Sequence, residues 1–144
     1  MFRFALLATT FVICLASLSC QNYSSGLQQT VTRADETAAT GALRTIAVAQ
    51  QTYSVTNDGN YGTFQQLVAG GYLDDRFNSD KPALKNYVLT MEVGKGAEGP
   101  FYSCNADPAG EGPQGRHFYI DSKSTGLHAN ATQAASAGDP IAQP

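Results

Sequence analysis

Apolar residues follow three regimes along this chain. From Phe4 to Leu18 they run almost unbroken, in "FALLATTFVICLASL", with no charge and no polar face. From Ala34 to Val55 they recur every three or four residues at Ala39, Leu43, Ile46, Ala49 or Gln50, and Tyr53, while Ala38, Ala42 and Val48 widen the same side. That spacing predicts an amphipathic helix packed on a sheet, with Thr32 capping its first turn and Asp35 and Glu36 favouring its positive end. Asn57, Asp58, Gly59 and Gly62 end it, since these residues tolerate turn conformations that a helix interior does not. From Asn86 the period falls to two: Tyr87, Leu89, Met91 and Val93 share one face, and Val88, Thr90 and Glu92 the other.

The segments between these regimes supply the connections. "TFQQ", Thr63 to Gln66, has the form of a capping box opening a short helix that Gly70 and Gly71 terminate, with Phe64, Leu67, Val68, Tyr72 and Leu73 turned inward. "PFYSCNA", "RHFYID" and a short piece near Leu127 to Ala129 read as further strands, separated by the loops "GKGAEG" and "DPAGEGPQG" and the turn "DSKSTG". Parallel crossovers need a dozen or more residues, so connections this short favour an antiparallel meander. One long helix on a meander of three to four strands is an α+β fold. Two polar stretches lie outside it. Residues 21–33 lack a clear period and read as a tether spanning at most about 45 Å, and the Ala-, Ser- and Pro-rich residues 131–144 read as a tail of little order.

The unbroken apolar run decides location. Met1, Phe2 and Arg3 give it a cationic start and Ser19 a small-residue end, the order of an export signal, and it is shorter than the roughly twenty residues of a membrane span. "SLSC" before the polar "QNYSS" resembles the lipobox of bacterial lipoproteins, with Ser17 standing where Leu is usual. The resemblance implies that Cys20 carries diacylglycerol through a thioether and begins the mature protein, residues 1–19 being removed. Buried acyl chains contribute about 0.8 kcal/mol per methylene, so two or three hold a protein on a membrane almost permanently. Gln21 resembles the outer-membrane default of Gram-negative lipoproteins. Two alternatives stay open: cleavage after Ala16 or Ser19, releasing a soluble product whose Cys20 can pair with Cys104, and a leader retained as an anchor. Under lipidation Cys14 is discarded, Cys20 is capped, and Cys104 remains as a small core residue.

Composition narrows the function. The length of 144 residues suits one domain, and the net charge of −3, or −4 once Arg3 leaves, comes without clustered Lys or Arg. That balance argues against nucleic acid as a partner, because phosphate neutralisation needs a basic face. "GKGAEG" satisfies a dinucleotide fingerprint by letters alone, yet Pro100, Phe101 and Tyr102 start a strand where the cofactor needs a helix. His117 and Asp121 share a strand face with His128 as a possible neighbour, and are expected to be polar residues on the solvent side rather than metal ligands. Beside Ser122 or Ser124 they lack any oxyanion hole. Asp74, Asp75 and Asp80 lack the spacing of an EF-hand loop. Asn130 to Thr132 spells a glycosylation sequon, which has no consequence behind a bacterial leader. No catalytic residue, cofactor or metal is therefore assigned, and the chain reads as a non-enzyme.

Taken in order, "GALRTIAVAQQTY", "NYGTFQQLVAGGYLDD", a meander and "GRHFYIDSKSTGLHAN" resemble the globular domain of type IV pilins and type II secretion pseudopilins over residues 34–130. The resemblance implies a long helix on a meander sheet and partners among envelope or secretion-system proteins. The chain departs from that family at its start. No Glu or Asp precedes Asp35, and the only long apolar run ends before Cys20, so the acid-bearing apolar helix on which filaments of that family assemble is lacking, as is the usual C-terminal disulfide loop. A pilin-like domain carried on a lipid anchor, displayed for protein–protein contact, is the leading expectation. A minor pilin or pseudopilin with a retained leader, and a ligand-binding or hydrolytic lipoprotein, are the alternatives.

Overall fold

The computed structural model describes residues 2–110, 115–124 and 126–143, with side chains from Gln29 onward. Two compact units divide the chain, residues 1–34 and 35–144. Helix α1, Phe2–Thr56, supplies helical backbone to both. In the second unit it is followed by α2 (Phe64–Ala69), a 3-10 turn (Asp75–Phe77) and five strands: β1 (Ala83–Leu84), β2 (Tyr87–Gly96), β3 (Gly99–Pro108), β4 (His117–Asp121) and β5 (His128–Asn130). The strands form one antiparallel sheet in sequential order, an α+β architecture with one strand more than the sequence suggests.

The helical stripe and the alternating strands meet in one core. Ala39, Leu43, Ile46 and Gln50 of α1 are fully buried, as are Tyr87 and Leu89 of β2, Cys104 and Ala106 of β3, and Phe118 of β4. Removing this apolar surface from water, about 25 cal/mol per Å², is the main favourable term. Val48, expected on the buried side, is 64% exposed. It lies on the helix flank turned away from Leu43 and Ile46, and a stripe of small alanines leaves no reason to wrap the core that far. The helix also begins upstream of its expected start. Gln29–Arg33 are helical, so Thr32 lies inside the helix rather than at its start. These residues contain neither Gly nor Pro, and an established helix propagates through them at small cost.

Gln50 fixes how the chain leaves α1. Its Oε1 accepts from the Gly62 N–H at 2.9 Å and its Nε2 donates to the Gly62 carbonyl at 2.6 Å, both bonds buried. One side chain thus satisfies both main-chain groups of a buried loop residue. From there the expected capping box forms: Thr63 Oγ1 accepts from Gln66 N–H, and Gln66 Oε1 accepts from Thr63 N–H. Phe64, Leu67 and Leu73 are buried, Val68 and Tyr72 pack against the core, and the Tyr72 ring meets Tyr53 edge-on at 5.5 Å.

Residues 131–143, expected to be a tail of little order, fold back instead. Ala129 N–H donates to the Pro140 carbonyl at 2.9 Å, Ala142 N–H to the Leu127 carbonyl at 2.7 Å, and Asn105 Nδ2 to the Ala135 carbonyl at 2.8 Å. Main-chain bonds of this kind need no side-chain period, which is why the pattern conceals them.

The double role of Gln50 yields an expectation. Replacing it by Leu keeps apolar volume but orphans the Gly62 N–H and carbonyl, each costing roughly 1–3 kcal/mol when buried. Urea unfolding of Gln50→Leu should show a loss within that range or its double.

Candidate interaction surface

The polar residues that the sequence offers as reactive are distributed through the second unit, each bound into a different piece of structure. Cys20 lies among the residues whose side chains are not described. Cys104 is a free, fully buried thiol on β3, and burial pushes its pKa up, so it stays protonated and unreactive in the folded state. His117 Nδ1 meets Asp107 Oδ1 at 2.6 Å, joining β4 to β3. His128 is buried beneath the returning tail, with Nδ1 2.6 Å from the Asp139 carbonyl oxygen. His117, Asp121 and His128 therefore do not converge, and among the described residues no three His, Cys, Asp or Glu side chains are grouped to hold a metal.

Asp121 builds the turn after β4. It accepts from Lys123 N–H at 2.8 Å, from Ser124 N–H and from the Tyr119 hydroxyl at 3.0 Å. Partial burial opposes its ionisation, but the main-chain donors of Ser124 and Lys123 outweigh that and hold its carboxyl below the usual carboxylate range. Asp139 is held low by Asn130 and Ser136 in the same manner. Asn130, the first residue of the sequon, spends its amide on Asp139 and its carbonyl oxygen on Thr132 and Gln133. Asp74 caps the 3-10 turn and pairs with Arg76, and Asp80 accepts from Gln65, so these acids organise a turn.

Sequence reasoning missed the two acids at the start of the second unit. The sequence pattern assigns Asp35 and Glu36 to the helix end as charges favouring its dipole. Asp35 instead is buried, accepts from Asn86 Nδ2 at 2.6 Å and faces Lys85 at 3.8 Å. Glu36 receives three bonds from Arg116: main-chain N–H at 2.9 Å, Nε at 3.2 Å and Nη2 at 2.9 Å. These charge-assisted bonds fasten α1 to the entrances of β2 and β4. The partners stand 51 and 80 residues away, and no local signal marks them.

The surface left open is a strand edge. Strands β2 and β3 pair from Tyr87↔Pro108 to Gly96↔Gly99, whereas β1 covers only Tyr87 and Val88 and β4 only Ser103 to Ala106. The distal part is thus a two-stranded ribbon closed by Ala97 and Glu98. "GKGAEG" is this tight turn with its flanking strand ends, and no helix follows it. Gly94 lets Phe101 pack across the ribbon, since a Cβ there would meet that ring at 3.0 Å. A Glu98–Lys123 ion pair ties the tip to the turn after β4.

The ribbon's two edges differ. Leu89 N–H donates outward to the Pro82 carbonyl, so by strand alternation Met91, Val93 and Lys95 also direct their main-chain groups outward. Beyond Leu89 these groups have no partner among the described residues. On β3 the corresponding outward position past Tyr102 is Pro100, which has no N–H to offer. The open edge of β2 can receive an extended segment by strand addition.

Among the described residues no helix is long and apolar enough to cross a membrane. No protein-family model, curated protein or solved structure matches the chain.

The depressed carboxyls of Asp121 and Asp139 contribute to an acid limit. A group whose folded pKa lies below its unfolded value contributes stability above that unfolded value, near 4, and loses it as pH falls through the folded pKa. Thermal unfolding followed from about pH 5 to about pH 2 should show a falling melting temperature. Asp121→Asn should be less stable at neutral pH and show a shallower acid decline.

Proposed function

We propose that this chain is an exported lipoprotein of the cell envelope, fixed to a membrane through diacylated Cys20, that presents a pilin-like α+β domain to other envelope or secretion-system proteins and catalyses no reaction. The open edge of β2 carries the reading. It leaves main-chain donors and acceptors of Met91, Val93 and Lys95 ready for a partner's strand, on a ribbon held in place by Phe101 against Gly94 and by the Glu98–Lys123 pair. Support for a non-catalytic role comes from His117, Asp121 and His128, each engaged in holding a strand, a turn or the returning tail. Support for the anchor comes from "SLSC" at the end of an uncharged apolar run. Gln21 after Cys20 favours an outer membrane, with the domain facing the periplasm or the surface.

A domain presented in this way fits the lack of an acid-bearing apolar helix after Cys20. Strand addition needs only main-chain alignment plus side-chain choice at alternate positions, so it suits recognition of a partner without a catalytic pocket. Half-buried Met91 and Val93 favour apolar partner residues on the inner face, and Glu92 favours a cation on the outer one.

Intact-mass measurement of the mature N-terminus should give a diacylglyceryl Cys20, and Cys20→Ser should move the protein from the membrane to the soluble fraction. A retained Met1–Ser19 leader, or unchanged membrane sedimentation of Cys20→Ser, would overturn the anchor. Lys95→Pro removes one outward N–H at an exposed position and leaves the β2–β3 ladder in place, so envelope partners that co-purify with the parent should be lost while the melting temperature changes little.

A further inference from the structure

A cleft of about 300 Å³, at the small end of the range for ligand sites, lies between α1, the end of β4 and the returning tail. Separated pieces of the second unit converge on it: Arg44 and Ala47 from α1, Tyr102 from β3, Ile120 from β4, Ser124 from the turn after it, and Ile141 from the tail. One wall is shaped by a close approach. A Cβ on Gly126 would come within 3.0 Å of the Ile141 side chain, so a glycine there lets the tail lie against the turn. The Ala142 N–H bond to the Leu127 carbonyl at 2.7 Å holds it in that place. Ile141 is left 62% exposed at the rim, an apolar residue that the core does not use.

Two polar groups of this cleft are unused in the free protein. Arg44 is exposed and has no hydrogen bond or ion pair among the described residues. Tyr102 is only 5% exposed, yet its hydroxyl has no hydrogen-bond partner among the described residues. That hydroxyl is not sealed off, because His128 Nε2 is the only unpaired side-chain polar atom among the described residues that is shut away from solvent. The cleft is the opening that Tyr102 lines. Burial, with Tyr61 beside it, pushes the Tyr102 hydroxyl up to about 12, so it stays a neutral donor at physiological pH. A nearly buried hydroxyl without a partner lowers stability, and a ligand that accepts from it recovers the loss. Ser124 Oγ is held only by a long 3.4 Å contact to the Gly126 carbonyl.

We propose that this cleft binds a small organic monocarboxylate, its carboxylate against the Arg44 guanidinium and the Tyr102 hydroxyl and its apolar body against Ala47, Ile120 and Ile141. A planar guanidinium meets a carboxylate with two parallel N–H bonds, and the phenol supplies a further donor. Charge narrows the class. Asp121 lines the same cleft, its oxygens already taken by Lys123, Ser124 and Tyr119, so a single negative charge is favoured over the higher charge of phosphate. Phosphate also has no apolar part to meet Ile120 and Ile141. The site requires neither the lipid nor the β2 edge, and no bond of the ligand is made or broken in it.

The test is a ligand-observed NMR titration of the full chain in detergent with benzoate, with benzamide and inorganic phosphate as reference probes. Benzoate should bind saturably, and benzamide, which has the same shape without the charge, about tenfold or more weakly, as should phosphate. Arg44→Gln should weaken benzoate about tenfold or more, and Tyr102→Phe about two- to tenfold. Both variants should melt with the parent, because neither removed group bonds anything in the free protein. Absence of saturable benzoate binding to the parent, equal affinity for benzamide or phosphate, or benzoate binding unchanged in both variants would overturn the proposal.

Discussion

The second unit depends on one face of α1 being held against the meander, because neither partner is stable alone. An isolated helix is marginal in water, and a sheet of short strands exposes an apolar face until something covers it. Leu43 and Ile46 meet Tyr87, Leu89 and Phe118 in that contact, and hydrophobic burial sets its strength but not its alignment. Alignment comes from polar ties at the two ends of the contact. Asp35 and Glu36 bind Asn86 and Arg116 near one end, and Gln50 binds Gly62 toward the other. Directional bonds at separated points keep a smooth alanine-rich helix from sliding along the sheet.

How far the sequence reveals this arrangement follows from the range of each interaction. Leu43, Ile46 and Tyr53 on α1, the Thr63–Gln66 capping box, and Tyr87 and Leu89 on β2 are set by neighbours within a turn or a strand pair, so periodicity and capping rules find them. Strand β1 has two residues and no period to detect; Pro82 and the Lys85 turn, with φ of 52° at Lys85, position it. The tail docks through main-chain atoms of Pro140 and Ala142, for which side-chain identity says little. Asp35 and Glu36 make the sharpest contrast, since local reasoning assigns them to a helix end while partners on distant strands determine their role. His128 follows the same logic, because the chain that buries it comes later in sequence.

The candidate surface was legible only as a class. Strand edges and a Gly-rich loop can be named from "NYVLTMEVGKGAEGP", but which edge is open depends on where β1 and β4 stop. Tethering by Glu98 and Lys123 likewise depends on a meeting 25 residues apart. Cys20 is the reverse case. Its chemistry is suggested by the letters around it, and the fold of residues 35–144 does not depend on it.

Pro100 and the returning tail give the ribbon and its sheet a polarity of their own. Pro100 blunts the far side of the hairpin, and Pro140 and Ala142 occupy the outer row of β5. Head-to-tail growth needs two complementary borders on every subunit. With Pro100 and the returning tail blunting these two borders, the described part of the sheet is poorly suited to templating copies of itself edge to edge.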